Sequence, residues 1–266
     1  LQNLSAIELS RDLAAGIRTA REALDLAQQT GHTGQANYAA TNLIEGLRTV
    51  GRWDDAIAVS AERVIGDSIA SGLLDVHQIG LDLGLIALAR GEAPPVITFR
   101  QDSDPMAVAL DAAANGDYAT AFEVARRDLL VKLDHAGRDE EFTVTWTATA
   151  DWAIDAGAYR DVPTVLALVQ DAPADQITPV LAAQLLRLRG TVVAATGDVD
   201  AAEEDLRGAV GALEELGALP YVGRAQAALG GLLRRTARRS EADALLESAR
   251  DTFESLGARS WIAGID

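Results

Sequence analysis

Small and apolar residues return along this chain at a fixed interval. The interval is marked by a turn of the form Gly-x-aromatic-x-x-small. It is clearest in "GRWDDA" at Gly51, "GDYATA" at Gly116, "GAYRDV" at Gly157 and "GDVDAA" at Gly197. Weaker copies begin at Arg11, Gly91 and Ala237, which gives spacings of 40, 40, 25, 41, 40 and 40 residues. A second set of glycines, Gly31, Gly72, Gly137, Gly217 and Gly257, lies 20 or 21 residues after a start. That is where a helix of about 18 residues needs a left-handed cap. Each period therefore reads as helix A, a tight turn, helix B and a stop: a helical hairpin repeated down the chain.

The pattern also predicts where the two helices of a hairpin touch. Five residues after each start stands a small residue (Gly16, Ala56, Ala121, Ala202, Ala242), and four further on the same face come Ala20, Ala125, Leu206 and Leu246. Seven residues before the starts lie Gly84, Ala109, Ala150, Gly190 and Gly230. A Gly inside a helix costs roughly 1 kcal/mol relative to Ala, so its return at one phase predicts a close crossing. In this frame Trp53 wedges at the hairpin turn, while Asp54 and Asp55 meet the dipole of a helix start.

A Leu-Gly pair in helix A followed by Gly-x-aromatic-x-x-Ala at the turn resembles the tetratricopeptide repeat. Trp146 falls where that family's helix-A Trp would lie. The resemblance covers almost the whole chain. It departs in period, about 40 residues against the usual 34, and lacks the Pro that closes helix B. Long hairpins with Gly stops are similar to the MalT-like sensor regions of large bacterial regulators. The resemblance implies an all-α, right-handed superhelical solenoid of about six to seven hairpins, spanning 1–266 as one unit. A shortened, Pro-interrupted repeat is expected near 91–116, because Pro94, Pro95 and Pro105 forbid a full-length helix B there; a bend or boundary is expected at 92–105.

Composition supports helices. Hydrophobic residues make up 48% of the 266, yet aromatics only 5%, so the core is built of Ala, Leu and Val. No apolar run reaches the roughly 18 residues of a membrane span, and there is no basic-then-apolar leader pattern at the start. With zero cysteines, the simplest reading is a soluble, cytoplasmic protein without thiolate chemistry. A net charge of −17 argues against direct nucleic-acid contact. Lys132, the sole Lys, has no glycine loop ahead of it, so no P-loop is present.

Candidate chemistry is sparse. His32, His77 and His135 are scattered without metal-ligand spacing, and His32 and His135 are read as meeting helix C-terminal dipoles. The acidic clusters at Asp139 to Glu141 and Glu203 to Asp205 fall in first turns of helices, where carboxylates complement the dipole. "GDVDAAEED" lacks the alternating ligands and central Gly of a calcium loop. No serine-hydrolase, zinc-protease or dinucleotide motif occurs, so neither catalysis, a cofactor nor a metal is expected.

Binding is the stronger expectation. Stacked hairpins leave an extended concave surface, which the family lines with helix A. Carrying its groove-facing phases onto this sequence selects Tyr38, Thr41, Glu45 and Arg48, then Asp151, Gln184 and Arg187, then Arg224 and Arg234. The peptide-carboxylate clamp of Lys and Asn is not evident. The resemblance extends to the end: "SARDTFESLGARSWIAGID" is similar to the close of the repeat region in LuxR-type regulators with a signalling ATPase, and related repeats end some nucleotide cyclases. The chain, lacking an initiator Met, reads as a piece of such a protein. Two functions follow as expectations: a groove for a protein, peptide or neighbouring domain, or a sensor that holds a small polar metabolite inside the superhelix. A closed, aromatic-lined pocket near Tyr38, Trp146 or Tyr221 points to the sensor; an open groove with exposed arginines points to the partner.

Overall fold

A computed structural model describes residues 1–62, 77–94, 104–136 and 140–265. The predicted stops at Gly72 and Gly137, the acidic Asp139 and most of the predicted bend at 92–105 lie outside these residues, as do the side chains of His77 and His135. Among the described residues the chain is helical without strands. The elements are α1 (Gln2–Leu9), α2 (Leu13–Thr30), α3 (Thr33–Val50), α4 (Trp53–Ser60), α5 (His77–Arg90), α6 (Pro105–Ala114), α7 (Tyr118–Ala136) and α8 (Glu140–Asp155). They continue with α9 (Val162–Gln170), a 3₁₀ turn (Ala174–Gln176), α10 (Pro179–Thr196), α11 (Val199–Leu216), α12 (Leu219–Arg235), α13 (Arg239–Leu256) and α14 (Arg259–Ile262). None of the helices searched is long and apolar enough to cross a membrane.

Local chemistry starts and stops several of these helices where the repeat phase predicts, whereas α4 ends at Ser60, well before the expected stop at Gly72. Asp12, Thr178 and Asp198 cap α2, α10 and α11 by accepting from the backbone N–H of Ala15, Leu181 and Ala201 at 2.9, 3.2 and 3.1 Å. Asp104 caps α6 in the same way, and Pro105 takes the first helical position, where its missing N–H costs nothing. The turn residues at 51, 91, 116, 157 and 197 are glycines with positive φ. At the equivalent start, 237, the sequence supplies Ala, and it too is left-handed, at φ 63°.

Packing follows the predicted crossings. Ala56, Ala121, Ala202 and Ala242 are fully buried. A Cβ added at Gly190 would sit 2.8 Å from Leu206 Cγ, and one at Gly230 would sit 2.7 Å from Leu246 Cγ. These are the two leucines that the pattern placed on the facing helix. Consecutive elements pack in pairs, α2 on α3, α7 on α8, α10 on α11 and α12 on α13. Helices α5 and α6 also touch closely: a Cβ at Gly84 would meet Leu110 Cδ1 at 2.6 Å. One apolar cluster runs from Leu81 through Met106 to Phe142, Leu166 and Leu188.

The array returns to its beginning. Helix α12 packs on α3, and α14 packs on α5. A second cluster joins Leu43, Ile44 and Trp53 to Ala249, Phe253 and Leu256. A third joins Leu9 and Leu13 to Leu213 and Val222. Trp261 stands edge-on to Trp53 (centroids 5.6 Å, 78°) and to Phe253 (5.3 Å, 65°). Polar contacts reinforce this seam: Ser260 Oγ donates to Leu88 O at 2.8 Å, Arg90 Nε donates to Leu256 O at 3.3 Å, and Arg259 pairs with Glu92 at 3.2 Å. The concave side is consequently bordered by both ends of the chain.

Candidate functional site: an aromatic-lined lumen

The concave space is a cavity of about 950 Å³ that opens to solvent on one side. It is walled by the inward faces of α3, α5, α6, α8, α10 and α12, with α14 along the seam. Its floor is ionic. Arg187 makes a two-pronged pair with Asp151, Nη1 to Oδ1 at 2.9 Å and Nη2 to Oδ2 at 3.0 Å, and its Nε donates to Gln184 Oε1 at 2.6 Å. Arg224 Nη1 donates to the same Asp151 carboxylate. Arg48 Nε donates to Asp82 Oδ1 at 2.5 Å, and its Nη1 donates to the Tyr221 hydroxyl at 2.6 Å. The Tyr221 ring in turn lies 5.7 Å from the Arg187 guanidinium, so one phenol links the two ion pairs.

Burial makes this layer consequential. Asp82 is fully buried, and Arg48, Asp151 and Arg187 are nearly so. Such charges are tolerated only with close partners, because each carries a desolvation penalty of several kcal/mol. Burial opposes the Arg48 charge, but Tyr221, Asp82 and Glu45 outweigh it and hold its pKa above the ordinary arginine value. Arg48, Tyr221, Val144 and Thr147 face both the large cavity and a smaller one of about 70 Å³ that Gln184, Glu45 and Leu13 help to line. The layer thus partitions the centre into a deep cup and a small pocket beneath it.

Above the floor the walls are aromatic, with Trp53, Trp152, Trp261, Phe253, Tyr118 and Tyr221 contributing. Arg224 stacks over Trp261 at 5.3 Å. Asp155, at the end of α8, is exposed to this cavity. The protein around it raises its carboxyl above the usual range, Asp151 adding to the effect while Arg224 and Arg187 oppose it. Enclosure likewise raises the Tyr118 phenol, with Asp155 adding and Arg224 opposing.

Of the nine groove residues selected from the sequence, five converge in this layer: Arg48, Asp151, Gln184, Arg187 and Arg224. Glu45 lies at the smaller cavity. Thr41 donates to the Asn37 carbonyl of its own helix at 3.1 Å. Tyr38 is 67% exposed and lines neither cavity, and Arg234 lies on the surface beside Asp243 at 3.4 Å. The lumen residues that the pattern did not select are Asp82, Tyr118, Trp152, Asp155 and Trp261. Asp155 was within reach, since it stands four residues after Asp151 on the same helical face.

Other singled-out residues have structural partners. Trp146 is core, its Nε1 donating to Val165 O at 2.7 Å. Trp53 Nε1 donates to Arg48 O at 3.0 Å, which ties the turn to the helix carrying the floor arginine. Asp54 pairs with Arg90 at 2.7 Å and Asp55 with Arg52 at 2.6 Å. Glu141 pairs with Lys132, Glu203 with Arg207 and Arg238, and Asp205 with Arg189. His32 is the residue before α3 and makes no side-chain cap bond. Among the described residues, no group of three or more His, Asp or Glu is placed to hold a metal ion. The sequence matches no family model, and no curated protein matches it.

Proposed function

We propose that this chain is a non-catalytic ligand-sensing region whose small-molecule ligand occupies the lumen. The carrying observation is the cup itself: about 950 Å³ of aromatic-walled space, open to solvent on one side, with a few convergent polar groups. This matches the size and composition of small-molecule sites, which run to roughly 300–1,000 Å³. The partner reading, a concave groove open to a peptide or domain, drew on nine residues, with Arg187, Arg224 and Arg234 making its C-terminal half basic. Arg187 is buried and paired with Asp151, Arg224 donates to the same carboxylate, and Arg234 lies on the surface beside Asp243, so these arginines do not form one exposed stripe.

The resemblance of the hairpins to tetratricopeptide repeats of the MalT-like kind supplies the rest of the proposal: a cytoplasmic sensor within a multidomain bacterial regulator. Closure gives such a sensor its lever. The lumen wall combines α3 and α5 from the first half of the chain with α12 and α14 from the last. A ligand touching both sides stabilises the closed array by mass action, in proportion to its preference for that state.

The test is a thermal-shift and tryptophan-fluorescence screen of a broad metabolite collection. A ligand should raise the melting temperature and perturb emission from Trp53, Trp152 and Trp261. Ala114, exposed on the lumen wall, provides the control: Ala114→Trp adds bulk inside the cup without entering the core and should weaken the response. A collection that yields no hit, or a hit whose affinity Ala114→Trp leaves unchanged, refutes the lumen as the site.

A further inference from the structure

The lumen presents two opposite charges that face the same space and do not meet. Arg224 uses Nη1 on Asp151, while its Nε and Nη2 have no acceptor among the described residues. Asp155 accepts no hydrogen bond and forms no ion pair among the described residues, although Arg224 is its strongest charged neighbour. The two groups are therefore close enough to influence each other and too far apart for the 4 Å contact of an ion pair. Each is flanked by rings, Arg224 by Trp261 and Asp155 by Tyr118 and Trp152 along the same wall.

The charge balance decides what fits. Arg187 and Arg224 share one carboxylate, Asp151, which leaves one positive charge over, and Asp155 returns the sum of these four groups to zero; Asp111 and Glu92 are the other carboxylates on the lining. An anion drawn to Arg224 would meet Asp155, and a cation drawn to Asp155 would meet Arg224. Against the protein wall the dielectric is lower than in bulk water, so both penalties are screened less than they would be in free solution. A ligand that carries both charges answers both groups, its carboxylate accepting from the free N–H donors of Arg224 and its ammonium donating to Asp155. The aromatic walls take an apolar body. From this we infer that the lumen recognises a zwitterion of the amino-acid class, a free apolar amino acid or a short peptide, with its carboxylate on Arg224 and its ammonium on Asp155. The cavity volume exceeds that of a single amino acid side chain and leaves room for a second residue.

This inference rests on the lumen being a ligand site, and its test separates the two claims. Isothermal titration calorimetry of the wild-type protein would use L-phenylalanine and L-phenylalanyl-L-phenylalanine as zwitterions, phenethylamine and 3-phenylpropionate as the singly charged analogues, and D-glucose as a neutral polyol. The expected result is binding of at least one zwitterion, weakened tenfold or more when either charge is removed, and no heat from glucose. The dipeptide binding more tightly than the amino acid would identify the longer member of the class. In Asp155→Asn the zwitterion and 3-phenylpropionate should bind within a few-fold of each other, because the group that reads the ammonium is gone; Arg224→Gln should erase the preference over phenethylamine. If glucose or one singly charged analogue binds as well as the zwitterions, the lumen is a ligand site but the zwitterion assignment is overturned. If none of the five compounds binds, the assignment is likewise overturned, and the metabolite screen decides separately whether the lumen binds anything.

Discussion

Arg48 donates to the Tyr221 hydroxyl at 2.6 Å across 173 residues of chain. This contact joins α3 to α12 at the floor of the lumen, and Tyr221 carries it on to Arg187 through its ring. Tyr221→Phe keeps the ring and deletes the acceptor, leaving a buried guanidinium donor unsatisfied, at a cost of about 1–3 kcal/mol. Arg48→Met leaves the buried Asp82 carboxylate with Gln78 alone, at 3.3 Å, and should cost more, about 3–5 kcal/mol. Urea denaturation of the two variants checks the order; equal and small losses would mean that the floor does not hold the ring.

The hairpin crossings give a paired prediction from adjacent residues. A Cβ at Gly230 would press into Leu246 and stand 3.2 Å from the Ala242 carbonyl, while a Cβ at Gly231 meets nothing within 4 Å. Gly230→Ala should therefore lose roughly 1–2 kcal/mol through overpacking despite its better helix propensity. Gly231→Ala should gain about 0.5–1 kcal/mol. Opposite signs in chemical denaturation bear out the crossing; two gains would mean that the helices stand further apart.

Ala237 occupies a turn position where five other hairpin starts carry glycine, with φ at 63°. A side chain in the left-handed region costs about 1–2 kcal/mol, partly offset by the lower entropy of the unfolded alanine chain. Ala237→Gly should raise stability by roughly 0.5–1 kcal/mol, read as a higher denaturation midpoint at unchanged slope.

Asp155 makes a pH prediction. Its folded carboxyl titrates above the ordinary value because the surrounding protein displaces water from the charge and Asp151 adds to the effect. Stability is therefore greatest with the proton on and falls as pH rises through the folded pKa. Asp155→Asn removes that loss. The variant should melt higher than wild type at neutral pH, and the gain should vanish below about pH 4, where the carboxyl is protonated in both states. Melting curves across that range check it; a pH-independent difference would exclude the titration as the cause.

The hairpins were legible because they are written locally. Gly197 and Gly217 mark the two ends of α11 through backbone geometry alone, and Ala202 and Ala242 mark crossings through size alone. Closure of the array was not legible. It depends on crossing angles accumulated over the whole chain, and no single residue encodes their sum. The same fact explains the mixed outcome for the groove. The stripe from Tyr38 to Arg48 lies on one face of α3, yet its first member ends outside and its last in the floor, because the helix runs through the wall rather than along it. Arg187 and Asp151 were selected as groove groups and are each other's partners because the successive A helices α8 and α10 pack side by side.

The central claim is that the array closes on itself and so makes the lumen. Glu92 and Arg259 sit on opposite sides of the seam, both side chains at least half exposed, and the native sequence contains no cysteine. Cysteines introduced at these two positions can therefore carry spin labels without background. Double electron–electron resonance on the full chain should give one narrow distribution at the short end of the measurable range. A broad distribution centred at long distance would describe an open solenoid, and with it the lumen and the function proposed for it would be lost.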